Sequence, residues 1–209
     1  RRSASVCEIM TTLRRRLREL SSFLNGPAAE KLRRRVPDGR WPEMDVRAER
    51  LLEHVESRRS YLNDLLELRI PSVTQQPVIR DIWHDHVLFD GDAVSGIIDY
   101  GAMSIDTVAV DVSRLLGSLV DGDAGDWNAG LRAYCEIRPM SMDQRDLLET
   151  LDKTGVFAGG LVWLRWHYLE NRTFENPAGA LARVDHFLNR LEMSDSAGRR
   201  MPRFSASLA

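Results

Sequence analysis

The sequence is poor in lysine, in cysteine and in long apolar runs. Of 29 basic residues only Lys31 and Lys153 are lysine. The two cysteines, Cys7 and Cys135, lie far apart and form no CxxC or other metal-binding spacing. That excludes a disulfide framework and leaves two free thiols in a reducing cytosol as the expectation. The longest apolar run, Val156 to Leu164, contains two glycines and ends at Arg165, too short to cross a bilayer. The first residues carry arginines but no apolar stretch of signal-peptide type. Position 1 is not Met, which points to processing or to a boundary. An excess of one charge is also missing: 29 basic against 31 acidic residues leave a net charge of −2. That argues against a dedicated nucleic-acid binder. The expectation is a cytoplasmic protein with neither nucleic acid nor membrane as a partner.

What is present is enough to fold. The 209 residues are 43% hydrophobic and 29% charged, and they include five Trp. This excludes disorder over most of the length and allows a core without a metal or disulfide staple. The charge is split along the chain. Residues 1–40 hold eleven basic and four acidic side chains, so the remainder carries −9. The runs Arg14-Arg15-Arg16 and Arg33-Arg34-Arg35 lie in helical patterns and read as solvated helix faces before they read as phosphate contacts.

Apolar spacing predicts helices over Val6–Leu24, about Ala28–Val36 and about Met44–Leu68, the last with Val46, Leu51, Leu52, Val55, Leu62, Leu65 and Leu66 as its buried stripe. The middle changes character. Pro77-Val78-Ile79 is β-like, and Val87–Phe89, Asp90-Gly91-Asp92 and Val94–Ile98 read as a hairpin. Helical patterns resume at Thr107–Leu119, Trp127–Ile137, Met142–Thr150, Val156–Arg172 and Ala178–Leu191. From Ser194 the tail is small and polar. The fold class is therefore α+β, mostly α, with one small β insertion.

That insertion is dense in acids and histidines: Asp81, His84, Asp85, His86, Asp90, Asp92 and Asp99. Asp90-Gly91-Asp92 is explained by turn chemistry. Asp81 and Asp99 each follow an apolar stretch, and a carboxylate at the end of a buried strand is costly unless a metal or a hydrogen-bonding network receives it. Two such carboxylates beside one hairpin, with a histidine, suit general-base work next to a hard cation.

The stretch Ile79–Phe89, followed by Gly96-Ile97-Ile98-Asp99-Tyr100-Gly101, resembles the catalytic core of the aminoglycoside phosphotransferase family. This is the branch of kinase-like folds that includes choline, homoserine and fructosamine kinases. The family pattern runs HGDxxxxN, a short turn, then hhGhIDFG, with a further Asp opening a helix. On that resemblance Asp81 is the catalytic Asp that meets the acceptor hydroxyl. Asp99 and His86 take the metal positions, and Asp111 braces the catalytic loop. The resemblance further implies ATP and Mg²⁺ and the helical C-terminal lobe of a protein kinase-like fold over 1–193, with 194–209 as a tail. Carboxylates plus Mg²⁺ supply the positioning and charge neutralisation that phosphoryl transfer needs.

Three positions depart from the pattern. The family's His-Gly before the catalytic Asp is Ile79-Arg80, where Arg80 could contact phosphate or, preferably, pair with a nearby acid. The metal-binding Asn is His86, whose imidazole suits Mn²⁺ better than Mg²⁺. The Phe is Tyr100. Trp163, Arg165, Trp166, His167, Tyr168 and Glu170 share one helical pattern. Trp-rich helices are mostly core, but by resemblance Trp166, His167 and Glu170 could wall the acceptor pocket.

The Gly-rich loop and strand Lys of a complete kinase do not precede the motif, so the simplest expectation is a C-terminal lobe truncated at Arg1. The reading is an ATP-dependent phosphotransferase acting on a small-molecule hydroxyl. The −9 charge beyond residue 40 favours a cationic acceptor. Two alternatives stand beside it: a non-catalytic, pseudokinase-like binding module, and a metallohydrolase using His84, His86, Asp81 and Asp99.

Overall fold

The computed structural model describes residues 11–67, 70, 72–120 and 123–196. It is mostly helical with two small antiparallel sheets, an α+β arrangement. The helices are α1 Thr11–Asn25, α2 Pro27–Arg35, α3 Pro42–Ser57, α4 Arg59–Leu66, α5 Ala109–Leu119, α6 Ala124–Ile137, α7 Met142–Leu164 and α8 Pro177–Ser196. The strands are β1 Gln76–Val78, β2 Val87–Asp90, β3 Ala93–Ile97 and β4 Ser104–Asp106. The predicted helical residues Val6–Met10, Cys7 among them, lie outside the described residues, as does the tail beyond Ser196.

The chain divides into two compact units. One is helical and is built from Arg15–Leu68 and Thr154 onwards. Its core joins Leu24, Leu32, Leu51 and Leu62 to Leu161 and Leu188. On α3 the buried apolar set is Met44, Ala48, Leu51 and Val55, the i, i+4, i+7, i+11 face of one helix. Val46 falls off that face and is 57% exposed, against expectation. The predicted long helix also breaks, at Arg58. Its buried side chain donates to the carbonyls of His54 at 3.1 Å and Leu191 at 2.9 Å, a tertiary cause that local pattern does not carry. Conversely, the two helices expected over Met142–Thr150 and Val156–Arg172 are continuous as α7, which passes into a π-turn at Arg165–Leu169. Gly155 alone, at about 1 kcal/mol, does not interrupt a helix. There α7 meets Arg16, the buried member of the first arginine run. At Gly159 the Phe187 ring comes so close that any side chain would collide with it.

The other unit contains Arg69–Lys153 and the described start of α1. Here β1 pairs antiparallel with β4, Val78 opposite Ser104 and Gln76 opposite Asp106. The hairpin β2–β3 closes through Gly91 at φ 58° and carries an irregularity between Leu88 and Phe89. Asp106 is fully buried. Its carboxylate accepts the Thr12 amide at 3.0 Å and the Thr107 amide at 2.8 Å, tying the start of α1 to the approach to α5.

Candidate functional site

The segment between β1 and β2 is the loop singled out by its acids and histidines, and α5 holds it along one face. Asp111, Arg114 and Ser118 are spaced i, i+3, i+7 and therefore share that face. Asp111 accepts the Ile79 amide at 2.8 Å and the Arg80 amide at 2.7 Å, one on each carboxylate oxygen. Arg114 forms an ion pair with Oδ1 of Asp81. Ser118 Oγ accepts the His84 amide at 2.9 Å. Three successive turns of helix thus fix residues 79 to 84.

The two carboxylates expected at the ends of buried strands are in fact open to water. The side chains of Asp81 and Asp99 are 55% and 59% exposed. Among the described residues the hairpin beside them has two strands and buries no residue fully. Asp99 sits at φ 61°, in the left-handed region that Asp tolerates, and its Oδ1 accepts the Gly101 amide at 3.3 Å. Oδ2 lies 3.8 Å from Nε2 of His86.

His86 is held differently from a metal ligand. The indole N–H of Trp83 donates to its Nε2 at 2.7 Å. An indole can only donate, so Nε2 is the unprotonated nitrogen and its lone pair is engaged. Its Nδ1 is buried with no hydrogen-bond partner among the described residues. With the proton on Nδ1, the 3.8 Å approach to Asp99 is not an ion pair.

Arg80 occupies the position where the resembled pattern has glycine, and its φ is 67°. Its expected pairing with an acid is not seen among the described residues. The arginine that pairs with Asp81 is Arg114, which the sequence reading missed. The signal was available: Arg114 follows Asp111 by three residues on one helix.

Trp166, His167 and Glu170 lie in the helical unit, at the π-turn that ends α7. The Arg172 guanidinium stacks on Trp166, 4.8 Å from the ring centroid. Glu170 pairs with Arg165 at 3.0 Å and Arg172 at 2.7 Å. His167 is buried edge-on to Trp41, ring centroids 5.5 Å apart. Burial and the nearby Arg40 push its imidazole below the ordinary value, against Asp38 and Asp45. Beside it the Tyr168 hydroxyl donates to the buried Asp45 at 2.7 Å, and burial followed by that contact holds the phenol well above its usual range. Asp45 also accepts the amides of Asp38 at 3.2 Å and Gly39 at 2.9 Å, clamping the loop before α3.

The donor set bears on metals. Among the described residues no group of three or more His, Cys, Asp or Glu side chains is placed to hold a metal ion. A hydrolase with an all-protein metal cage therefore lacks its ligands there. Mg²⁺ handled with nucleotide asks for less, one or two carboxylates with phosphate and water completing the shell. The exposed Asp99 carboxylate fits that role and the engaged His86 imidazole does not. Also among the described residues, no helix is long and apolar enough to cross a membrane.

Comparison with known proteins agrees with the family resemblance. A homoserine kinase of Brucella anthropi is 36% identical over 92 residues, 41% of this chain and 28% of that protein. A homoserine kinase of Methylocella silvestris is 27% identical over 124 residues, 56% of this chain and 37% of that protein. One from Rhizobium etli is 30% identical over 112 residues, 51% of this chain and 35% of that protein. The matched stretches thus span well under half the length of these relatives. The model of the phosphotransferase enzyme family matches residues 8–146, more than half of the chain, and the chain belongs to that family.

Proposed function

We propose that this chain carries the acceptor-handling and metal-handling part of an ATP-dependent kinase for a small-molecule hydroxyl, folded as the helical C-terminal lobe of a protein kinase-like enzyme. The observation that carries the reading is the clamped loop. Asp111 pins the Ile79 and Arg80 amides, so the adjacent Asp81 stands exposed on a fixed backbone. Oδ1 of Asp81 takes the guanidinium of Arg114, leaving Oδ2 for the acceptor hydroxyl. There it orients the hydroxyl oxygen toward the γ-phosphorus of ATP. As the new O–P bond forms and the bond to the β-phosphate oxygen breaks, the hydroxyl proton passes to Asp81 and ADP leaves. Asp99 would hold Mg²⁺, which neutralises phosphate charge when bound. An ATP donor is consistent with a cytoplasmic enzyme, the location this reading takes.

The acceptor class rests on two supports. The relatives are homoserine kinases, and the −9 charge beyond residue 40 suits an ammonium-bearing acceptor. An amino alcohol of the homoserine type is therefore the first substrate to try. The test is ADP release by the complete natural polypeptide containing this sequence, with Mg²⁺-ATP and a panel of homoserine, other amino alcohols and amino sugars. Turnover with one of these, abolished in Asp81→Asn with the fold intact, is the expected result. Absence of turnover across the panel, without Mg²⁺-ATP binding, sinks the reading. The Trp83–His86 bond favours a second reading, a nucleotide-binding module without catalysis. That reading predicts Mg²⁺-ATP binding with no turnover on any acceptor.

A further inference from the structure

We infer that Arg114 is the positioning residue that sets the reach of Asp81. This rests on the reading of Asp81 as the group that meets the acceptor hydroxyl. The ion pair needs an explanation beyond stability. It joins a carboxylate 55% exposed to a guanidinium 31% exposed, and pairs of that kind contribute roughly 0–1 kcal/mol. Its geometry is more informative than its energy. The backbone on both sides of Asp81 is fixed from α5, by Asp111 at Ile79 and Arg80 and by Ser118 at His84. Those bonds locate the Cα of Asp81 but leave its side-chain torsions free. The middle residue of the same helix face, Arg114, removes that freedom by holding Oδ1.

The arginine is itself partly buried. Its Nε is buried and makes no hydrogen bond among the described residues, so the guanidinium reaches Asp81 from a packed stem rather than from solvent. One consequence follows. Asp81 is aimed by a fixed positive neighbour, so it orients the acceptor hydroxyl. That suits a loose phosphoryl transition state in which the nucleophile needs little activation.

The experiment compares wild type, Arg114→Met, Arg114→Lys, Ser118→Ala and Asp81→Asn in the complete natural polypeptide, with the acceptor identified in the ADP-release panel. For Arg114→Met, kcat falls about 30- to 100-fold, the loss expected when a reacting group is misplaced by about an ångström. KM for ATP stays within about twofold, because no nucleotide contact is removed. Arg114→Lys recovers part of the loss, since an ammonium restores charge without the planar fork. Added guanidinium ion also recovers part of it in Arg114→Met. A purely structural arginine gives neither recovery. If Arg114→Met loses folded protein, Arg114→Lys and its kcat against KM split decide. If Asp81→Asn is inactive while Arg114→Met keeps kcat within about threefold of wild type, the inference fails and the kinase reading stands. If wild type itself turns over nothing, the reading fails and takes the inference with it.

Discussion

The indole N–H of Trp83 donates to Nε2 of His86 at 2.7 Å, at the position where the family's metal-binding Asn is expected. The two residues lie three apart across a 3₁₀ turn, His84–His86, closed by the bond from the His86 amide to the Trp83 carbonyl at 2.9 Å. The Nε2 lone pair of the imidazole is thereby engaged by an aromatic donor. Of the two positions that the resemblance gives to a metal, Asp99 keeps an exposed carboxylate.

Replacing His86 by Asn tests that arrangement. The Asn carbonyl supplies an oxygen that Mg²⁺ prefers, at the cost of the Trp83 bond. We expect Mg²⁺-dependent affinity for a non-hydrolysable ATP analogue to rise about threefold to tenfold, roughly one added ligand contact. Calorimetric titration in Mg²⁺ measures it directly. A large loss of affinity would show that His86 serves the nucleotide in its own right.

Much of this site was legible before the structure. The spacing of Asp81, His86, Asp99 and Asp111 pointed to one loop, one hairpin and one helix, and the Asp90-Gly91-Asp92 turn marked the hairpin correctly. What local pattern could not carry was tertiary in origin. Strand β4, Ser104–Asp106, is only three residues long, too short for a pattern to announce it, and exists because β1 pairs with it. The break at Arg58 is made by the carbonyls of His54 and Leu191. The exposure of Asp81 and Asp99 follows from a hairpin that nothing covers among the described residues. Arg114 was overlooked because a lone arginine in a helical pattern normally reads as a solvated side chain.

Arg80 stands at φ 67°, where a side chain costs roughly 1–2 kcal/mol relative to glycine's freedom. Arg80→Gly removes that strain and adds back about 0.4–1 kcal/mol of unfolded-state entropy. The net expectation is a gain of about 0.5–1 kcal/mol, read as a higher urea midpoint at unchanged m. A loss of stability would mean that the Arg80 side chain makes a contact worth more than the strain.

Asp111 should separate backbone bracing from mere charge. Asp111→Ala leaves the part-buried amides of Ile79 and Arg80 without an acceptor, at about 1–3 kcal/mol. Asp111→Asn keeps one carbonyl oxygen and costs roughly half as much. Activity should fall in the same order, with amide exchange at Ile79 and Arg80 accelerating in both. Unchanged exchange at those two amides would show that the loop is fixed by other contacts.

His167 makes the stability of the helical unit depend on pH in a defined direction. Burial, then Arg40, lowers its folded value below the ordinary 6.5, while Asp38 and Asp45 oppose the shift without reversing it. Below about pH 6.5 the unfolded chain therefore binds a proton that the folded chain refuses. The stabilisation is fully present above pH 6.5 and is lost on acidification, by up to about 1.4 kcal/mol per pH unit while the folded imidazole stays neutral. Carboxyls held low by arginines, such as Glu56 beside Arg59, act in the same direction but only around and below their own unperturbed value of 4.5. The interval from pH 7.5 to 5.5 thus isolates histidine. Urea midpoints of wild type and His167→Phe at those two pH values check the claim. The wild-type midpoint should fall on acidification and the variant's should fall distinctly less. Equal pH slopes in the two proteins would remove His167 as the cause.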